Sequence, residues 1–290
     1  MSQTKRVVKI VGPRGQHWVG DGFPVRQMFG YNDLGQNISP FLLLDYAGPV
    51  SFPATHERRG VGAHPHRGFE TVTIVYSGEV EHRDSVGHKG RIGAGDVQWM
   101  TAGAGVLHEE MHGEHFRKVG GPFELVQLWV NLPASLKMVS PRYQTLLATD
   151  IPSLKLTDGR SSLRLIAGEF QGKIGPAQTH TQINIWDMFL AKGSRHELKV
   201  PTGHTAVLFC LEGSLVLESG KALNGPQLGV LERDGQVIQI EATAESKVLF
   251  LGGAPIEEPI VGMGPFVMNS KEELQKAFED YDSGLFGALD

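Results

Sequence analysis

Residues 64–72 read HPHRGFETV and are the most informative stretch of this 290-residue sequence. Residues two apart on a β-strand project from the same face, so His64, His66 and Glu70 are predicted to point one way. Phe69 lies between them and is predicted to point away. If the shared face lines the inside of a barrel, two imidazoles and a carboxylate converge there. The stretch therefore predicts a strand that carries metal ligands.

A second stretch, GAGVLHEE at residues 103–110, places His108 and Glu110 at the same two-residue spacing, with Met111 predicted to point away. Eight of the 12 histidines lie within residues 56–115. Three imidazoles with one carboxylate suit a divalent transition ion and leave two octahedral positions open. Strand parity alone does not choose between Glu70 and Glu110 as the carboxylate.

Residues 108–112, HEEMH, also match the helical zinc motif H-E-x-x-H. Gly103, Gly105 and Gly113 surround the motif, and each costs about 1 kcal/mol inside a helix. A zinc-protease helix is therefore disfavoured. The remaining histidines are predicted to be surface or hydrogen-bonded structural residues: His17, His56, His82, His88, His112, His115, His180, His196 and His204.

Glycine supplies 37 of the 290 residues and separates short runs of β-branched and apolar residues, which predicts an all-β chain. The two halves resemble each other. Residues 75–80 (VYSGEV) match residues 210–215 (CLEGSL), and the glycine-led segments at 95–97 and 235–237 match in the same way. The sequence thus predicts two copies of one β unit. Near the end, Ser270 and Glu273 form a capping box ahead of a short helix with apolar positions Leu274, Ala277, Phe278 and Tyr281.

Composition excludes several classes of protein. Lys and Arg total 27 against 32 Asp and Glu, so no basic surface for nucleic acid is expected. The longest apolar runs are far shorter than the roughly 20 residues of a membrane span, and no signal peptide is recognised, so a cytoplasmic location is predicted. Cys210, in the run LFCL, is predicted to be a buried small hydrophobe.

These segments together resemble the pirin family of the cupin superfamily, over about residues 5 to 285. The matching segments are HPHRGFETV at 64–72, GDVQWMTAG at 95–103, HEEM at 108–111, LWVNLP at 128–133 and GPFVMN at 264–269. The resemblance implies a bicupin, with two cupin barrels of the jelly-roll type. It implies a metal-binding cupin at 1–145, a metal-free cupin at 150–265, and a C-terminal helix and tail at 266–290.

The resemblance also implies one metal ion held by His64, His66, His108 and Glu110. Most cupins take the carboxylate from the position of Glu70, which stays as an alternative ligand or a residue behind the ligands. Fe(II) is the expected ion, with nickel, cobalt, manganese, copper and zinc as alternatives.

Several pirins are assigned quercetin 2,3-dioxygenase activity, so the resemblance implies a flavonol and dioxygen as substrates. Glu110 would then serve as both ligand and catalytic base. Two alternatives remain: a non-catalytic, metal-dependent regulator that binds a protein partner, as a transcription cofactor or a modulator of metabolic enzymes, and a cupin acting on another small phenol or keto-enol. Because two fused cupins cover in one chain the interface that single cupins bury by dimerising, a monomer is expected.

Overall fold

The computed structural model of the chain describes residues 3–218 and 220–289, so the outermost predicted domain limits at 1 and 290 lie outside the described residues. The strands are Val7–Val11 (β1), Gln16–Val19 (β2), Phe23–Phe29 (β3), Phe41–Phe52 (β4), Gly60–His66 (β5), Phe69–Ser77 (β6), Glu79–Asp84 (β7), Lys89–Gly93 (β8), Val97–Thr101 (β9), Val106–His112 (β10), Gly121–Asn131 (β11), Arg142–Leu146 (β12), Ser153–Lys155 (β13), Ser162–Ala167 (β14), Glu169–Phe170 (β15), Lys173–Ile174 (β16), Ile183–Leu190 (β17), Arg195–Lys199 (β18), Thr205–Glu212 (β19), Ser214–Leu217 (β20), Ala222–Asn224 (β21), Gln227–Leu231 (β22), Val237–Ala242 (β23), Ser246–Gly253 (β24), Val261–Met263 (β25) and Phe266–Met268 (β26). The helices are Glu114–Val119 (α1) and Lys271–Asp282 (α2), with 3-10 turns at Leu34–Gln36 and Ala134–Leu136.

The chain divides into two compact units that interleave along the sequence. The larger unit contains residues 14–37, 41–148 and 256–289, and the smaller contains 3–13, 38–40 and 149–255. The predicted linear limits at 145, 150 and 265 assign both chain ends differently. The assignment of the chain ends follows from their contacts. Strand β1 pairs with β22 in the smaller unit, and α2 packs on β25 and β26 in the larger one.

Each unit contains a seven-stranded and a four-stranded sheet, and two-stranded sheets are formed by β15 with β16 and by β25 with β26. In the larger unit the orders are β12-β9-β6-β11-β4-β3-β2 and β5-β10-β7-β8. In the smaller unit they are β1-β22-β19-β24-β17-β14-β13 and β18-β23-β20-β21. The shared plan confirms the predicted all-β architecture of two barrel units with a short C-terminal helix.

Two glycines show why the halves of the sequence resemble each other. Gly78 joins β6 to β7 with φ of 89°, and Gly213 joins β19 to β20 with φ of 86°. A Cβ at Gly78 would lie 2.5 Å from the Phe123 ring, and one at Gly213 would lie 2.2 Å from the Glu245 carbonyl oxygen. Both turns require glycine for the same reason, which supports the internal repeat.

Helix α2 begins with the predicted capping box. Ser270 Oγ accepts from the Glu273 backbone N–H, and Glu273 Oε2 accepts from the Ser270 N–H, both at 3.1 Å. Leu274 and Ala277 are buried, whereas Tyr281 is 38% exposed, so the apolar face is narrower than the sequence pattern suggested. Within the described residues, no helix is long and apolar enough to cross a membrane.

Cys210 behaves as the sequence indicated. It lies on β19, fully buried in the apolar core of the smaller unit. Burial raises the pKa of its thiol to about 12, so the thiol is neutral and unreactive near pH 7.

Candidate metal centre

Three histidines converge on neighbouring strands of the four-stranded sheet in the larger unit. His64 and His66 lie on β5, His108 lies on β10, and the antiparallel register places His108 opposite His64. The His64 and His108 ring centroids are 4.1 Å apart, and each is 4.9 Å from that of His66. One ring nitrogen from each residue lies within 4.8 Å of the others, so the three can hold a metal ion. The predicted convergence of these histidines is confirmed.

Hydrogen bonds at Nδ1 leave Nε2 of these imidazoles available. His64 Nδ1 donates to the Gly62 carbonyl oxygen at 2.8 Å, and His66 Nδ1 is 3.4 Å from the Pro265 carbonyl oxygen. His108 Nδ1 lies 3.3 Å from His82 Nδ1, and His108 Nε2 is buried with no hydrogen-bond partner among the described residues. Such outer partners fix the tautomer and orientation of metal-binding histidines. The donor set therefore fits a divalent ion.

The environment also keeps these imidazoles neutral. Burial lowers the pKa of His66 and His108 well below the ordinary histidine value, and the proximity of His64 lowers both further. Neutral imidazole is the form that binds metal, so near pH 7 no proton has to be displaced from these two rings.

Glu110 lies on the same strand as His108 but is not part of the cluster of converging ligand atoms. It is 7% exposed and lines the same cavity as His64 and His66. Its Oε1 lies 3.3 Å from Thr73 Oγ1. Between His108 and Glu110 the pairing of β10 with β5 shifts register. Glu110 as the fourth ligand stays a prediction.

Glu70 and Phe69 lie on the opposite faces from those the sequence predicted. Strand β5 ends at His66, Gly68 adopts φ of 89°, and β6 starts afresh at Phe69. Phe69 therefore stacks on Trp129 at 4.2 Å and lies 5.1 Å from the His66 ring. Glu70 is fully buried on the other face of β6, where it accepts from Thr101 Oγ1 at 2.7 Å. The predicted same-side projection was wrong, because side-chain alternation does not continue across this turn.

Glu70 provides a pH-dependent test of this placement. Burial raises its pKa to about 7 from an ordinary value near 4.5, against the opposing effects of Thr101, Trp99 and Arg142. The unfolded chain releases this proton above about pH 4.5 and the folded chain only near pH 7, so stability falls as the pH rises through that window. We therefore expect the difference in unfolding free energy between Glu70→Gln and the unmodified chain to shift in favour of the variant by up to about 3 kcal/mol between pH 4.5 and pH 8.

Urea unfolding of both metal-free proteins at the two pH values measures this difference. Metal stoichiometry should be unchanged by Glu70→Gln. A difference in unfolding free energy that does not vary with pH, or a loss of metal, would place Glu70 in another environment.

A cavity of about 280 Å³ adjoins the histidines. Its apolar wall is formed by Val19, Phe23, Val25, Val61, Leu125 and Trp129. Its polar lining, apart from the histidines, consists of Asp45, Thr73, Glu110 and Gln127. A mostly apolar pocket with a few converging polar groups is typical of small-molecule sites.

Comparison with known proteins agrees with this architecture. The family model described as Pirin matches residues 22–130, and the model described as Pirin C-terminal cupin domain matches residues 185–287. The chain belongs to the pirin family. A relative from Pseudomonas aeruginosa named "Putative quercetin 2,3-dioxygenase" is 55% identical over 97% of this chain and 98% of its own. A "Pirin-like protein" from Solanum lycopersicum is 41% identical over 99% of this chain and 94% of its own.

A solved structure supports the pirin assignment at the level of the whole fold. The crystal structure titled quercetin 2,3-dioxygenase from Acinetobacter baumannii has 51% sequence identity and a TM-score of 0.97. It covers 99% of this chain and 100% of that chain. The resemblance to pirins noted in the sequence is confirmed.

His82 contacts the Nδ1 side of the His108 ring, although the sequence predicted only a general structural role for it. His82, on β7, is buried and stacks on Tyr143 at 4.6 Å while its Nδ1 faces His108. Its Nε2 is 3.7 Å from Asp84 Oδ2, and that carboxylate also contacts His88 Nδ1 at 2.9 Å. The sequence offered one signal for this role. Val80, His82 and Asp84 alternate with charged residues along β7, and in the structure all three are buried.

The C-terminal segment also supports the histidines in this pirin fold. Besides the Pro265 carbonyl at His66, Asp280 of α2 pairs with Arg67 at 2.8 Å. The Arg67 guanidinium lies 4.7 Å from the Phe286 ring and donates to the Ala104 carbonyl oxygen at 2.6 Å. Residues at the end of the chain thus hold the turn that follows the ligand strand.

The offsets of 135 and 140 residues between the two repeats match the predicted ligand positions to Lys199, Pro201, Val248 and Phe250 in the smaller unit. Val248 and Phe250 belong to its apolar core, and Lys199 is exposed. That this barrel binds no metal stays a prediction.

Proposed function

We propose that this chain is a metal-dependent dioxygenase of the quercetin 2,3-dioxygenase type. The observation that carries the proposal is the set of three converging histidines, of which His64 and His66 line a mostly apolar cavity. The names of the relatives from P. aeruginosa and A. baumannii support the choice of a flavonol as substrate. The reaction opens the central flavonol ring with dioxygen and releases carbon monoxide.

His64, His66, His108 and Glu110 would hold one divalent ion, with Fe(II) as the first choice. When bound, such an ion supplies Lewis acidity at the 3-hydroxyl of the flavonol and a centre for reaction with dioxygen.

Glu110 is proposed to accept the proton of the flavonol 3-hydroxyl. Thr73 Oγ1 lies 2.5 Å from Gln127 Oε1, an acceptor that engages the hydroxyl proton of Thr73. The oxygen of Thr73 then has lone pairs available to Glu110, 3.3 Å away. Once it is protonated, Glu110 can therefore donate a hydrogen bond to Thr73 Oγ1, which stabilises the substrate's proton on Glu110.

The apolar wall has a role of its own. Phe23, Val25, Leu125 and Trp129 form an apolar lining that a planar flavonol can contact. Exclusion of water strengthens electrostatic interactions with the deprotonated substrate and limits hydrolysis of reactive species.

The test compares Glu110→Gln with Glu109→Gln. Both proteins are reconstituted anaerobically with Fe(II), then given quercetin and dioxygen, while the flavonol absorbance and the released carbon monoxide are followed. We expect turnover to fall at least about 100-fold in Glu110→Gln, as for loss of a general base. Glu109 is the matched control, because it lies next to Glu110 but pairs with Arg58 and Arg83 at 2.7 Å.

Carbon monoxide release that is undiminished in Glu110→Gln would contradict the role of Glu110. A fully metal-loaded chain that turns over no flavonol with any of several divalent ions would overturn the proposed activity. That result would favour the metal-dependent regulator.

A further inference from the structure

Asp45 carries a partly buried carboxyl group that the proposed chemistry does not use. It lies on β4 in the seven-stranded sheet, whereas the three histidines lie on the four-stranded sheet. It lines the same cavity as His64 and His66. Its Oδ1 is shielded from solvent and has no hydrogen-bond partner among the described residues. An unpartnered buried acceptor is costly, so it requires an explanation.

The strand register shows that Asp45 faces the interior. Gln127 of β11 pairs with Asp45 on one side and with Thr73 of β6 on the other. All three side chains line the cavity, in one row across adjacent strands. The Oε1 of Gln127 is already engaged by Thr73. Of these three side chains, Asp45 is therefore the one whose acceptor oxygen, Oδ1, has no hydrogen-bond partner among the described residues.

The chemistry of the group defines its ligand. Burial raises the pKa of Asp45 to about 6, so it is a carboxylate above that pH and can only accept hydrogen bonds. An acceptor in a mostly apolar wall selects a ligand that offers an O–H or N–H at that position. A ligand without this donor would leave the carboxylate desolvated and unpaired, which is the strongest basis for discrimination available to a small site.

We propose that Asp45 accepts a hydrogen bond from a hydroxyl group of the bound flavonol other than its 3-hydroxyl, and so makes the cavity selective for polyhydroxylated substrates. The inference rests on the proposed function, since it assumes that a flavonol binds with its 3-hydroxyl toward the histidines. It assigns the hydroxyl recognition to the sheet that faces them. Asp45 is a specificity-determining residue in this arrangement.

Binding without turnover tests the proposal. The Zn²⁺-loaded protein, in which the ion has no redox chemistry, is titrated without oxygen with quercetin and with 3-hydroxyflavone, which lacks every other hydroxyl. Quenching of the intrinsic tryptophan fluorescence reports binding. We expect the unmodified chain to favour quercetin by about tenfold or more. Asp45→Leu should reduce this preference at least about fivefold, through weaker binding of quercetin.

Two further variants make the result specific. Asp45→Asn keeps an acceptor oxygen at this position and should retain part of the preference. Val25→Ala removes part of the apolar lining of the same cavity. It should weaken the binding of both flavonols by a similar factor and so leave the preference unchanged. Zinc stoichiometry and urea unfolding establish that each variant is folded and loaded.

The outcomes separate the inference from the proposed function. An unchanged preference in Asp45→Leu, or an equal change in Val25→Ala, would overturn the role of Asp45 even if quercetin is turned over. If neither flavonol binds to the unmodified chain, the proposed function and this inference both fail.

Discussion

Replacing His108 with alanine should remove most of the bound metal and all flavonol turnover while the fold survives. His108 is fully buried, and its Nε2 has no other partner among the described side chains. Loss of a residue behind a ligand commonly costs 10–100-fold in metal affinity, so loss of the ligand itself should cost more than about 100-fold. Two barrel units with apolar cores do not depend on one ion to fold. Metal content after dialysis, circular dichroism and carbon monoxide release together measure this result.

His115→Ala is the matched control for this experiment. His115 lies in the same histidine-rich window, but it is exposed on α1 and should leave metal and turnover unchanged. His64→Ala should behave like His108→Ala. Full metal retention in either ligand variant would contradict the assigned site.

The second large effect is expected at Lys137. Its side chain is 1% exposed, and its Nζ donates to Gly68 O, Asn131 Oδ1 and Val267 O at 2.8, 2.8 and 2.9 Å. Burial lowers the pKa of Lys137, to about 7, but three accepting oxygens match the three protons of the ammonium form. Lys137→Met would leave all three oxygens buried and unpaired. We expect the free energy of unfolding to fall by about 3 to 5 kcal/mol.

Lys137→Met should also weaken metal binding, because the Gly68 carbonyl belongs to the turn that directly follows His64 and His66. An effect of about tenfold is expected, similar to the loss of other supporting contacts. Urea unfolding of the metal-free protein and equilibrium dialysis with a divalent ion separate the two effects. Lys155→Met, at an exposed position on β13, is the control. If the unfolding free energy of Lys137→Met lies within about 1 kcal/mol of that of the unmodified chain, the three hydrogen bonds of Lys137 do not stabilise the fold as proposed.

The turn at Gly68 shows where local sequence rules stop. Alternation placed His64 and His66 on one face, and they lie there because β5 is uninterrupted between them. The same rule failed for Phe69 and Glu70, because a positive φ at Gly68 starts a new strand with the opposite parity. A Cβ at Gly68 would lie 2.1 Å from the Val267 carbonyl oxygen, so a neighbour far along the chain excludes any side chain at this turn.

By itself, the sequence determined the all-β class, the repeat of the barrel unit, the capping box of α2 and the three converging histidines. Each depends on spacing within one strand, one turn or one helix, where residue types act on their near neighbours. Only the tertiary structure placed His82 behind His108, Pro265 at His66 and Asp45 in the cavity. Those contacts join residues as much as 199 positions apart, as between His66 and Pro265, because strand order and sheet packing decide which distant residues meet.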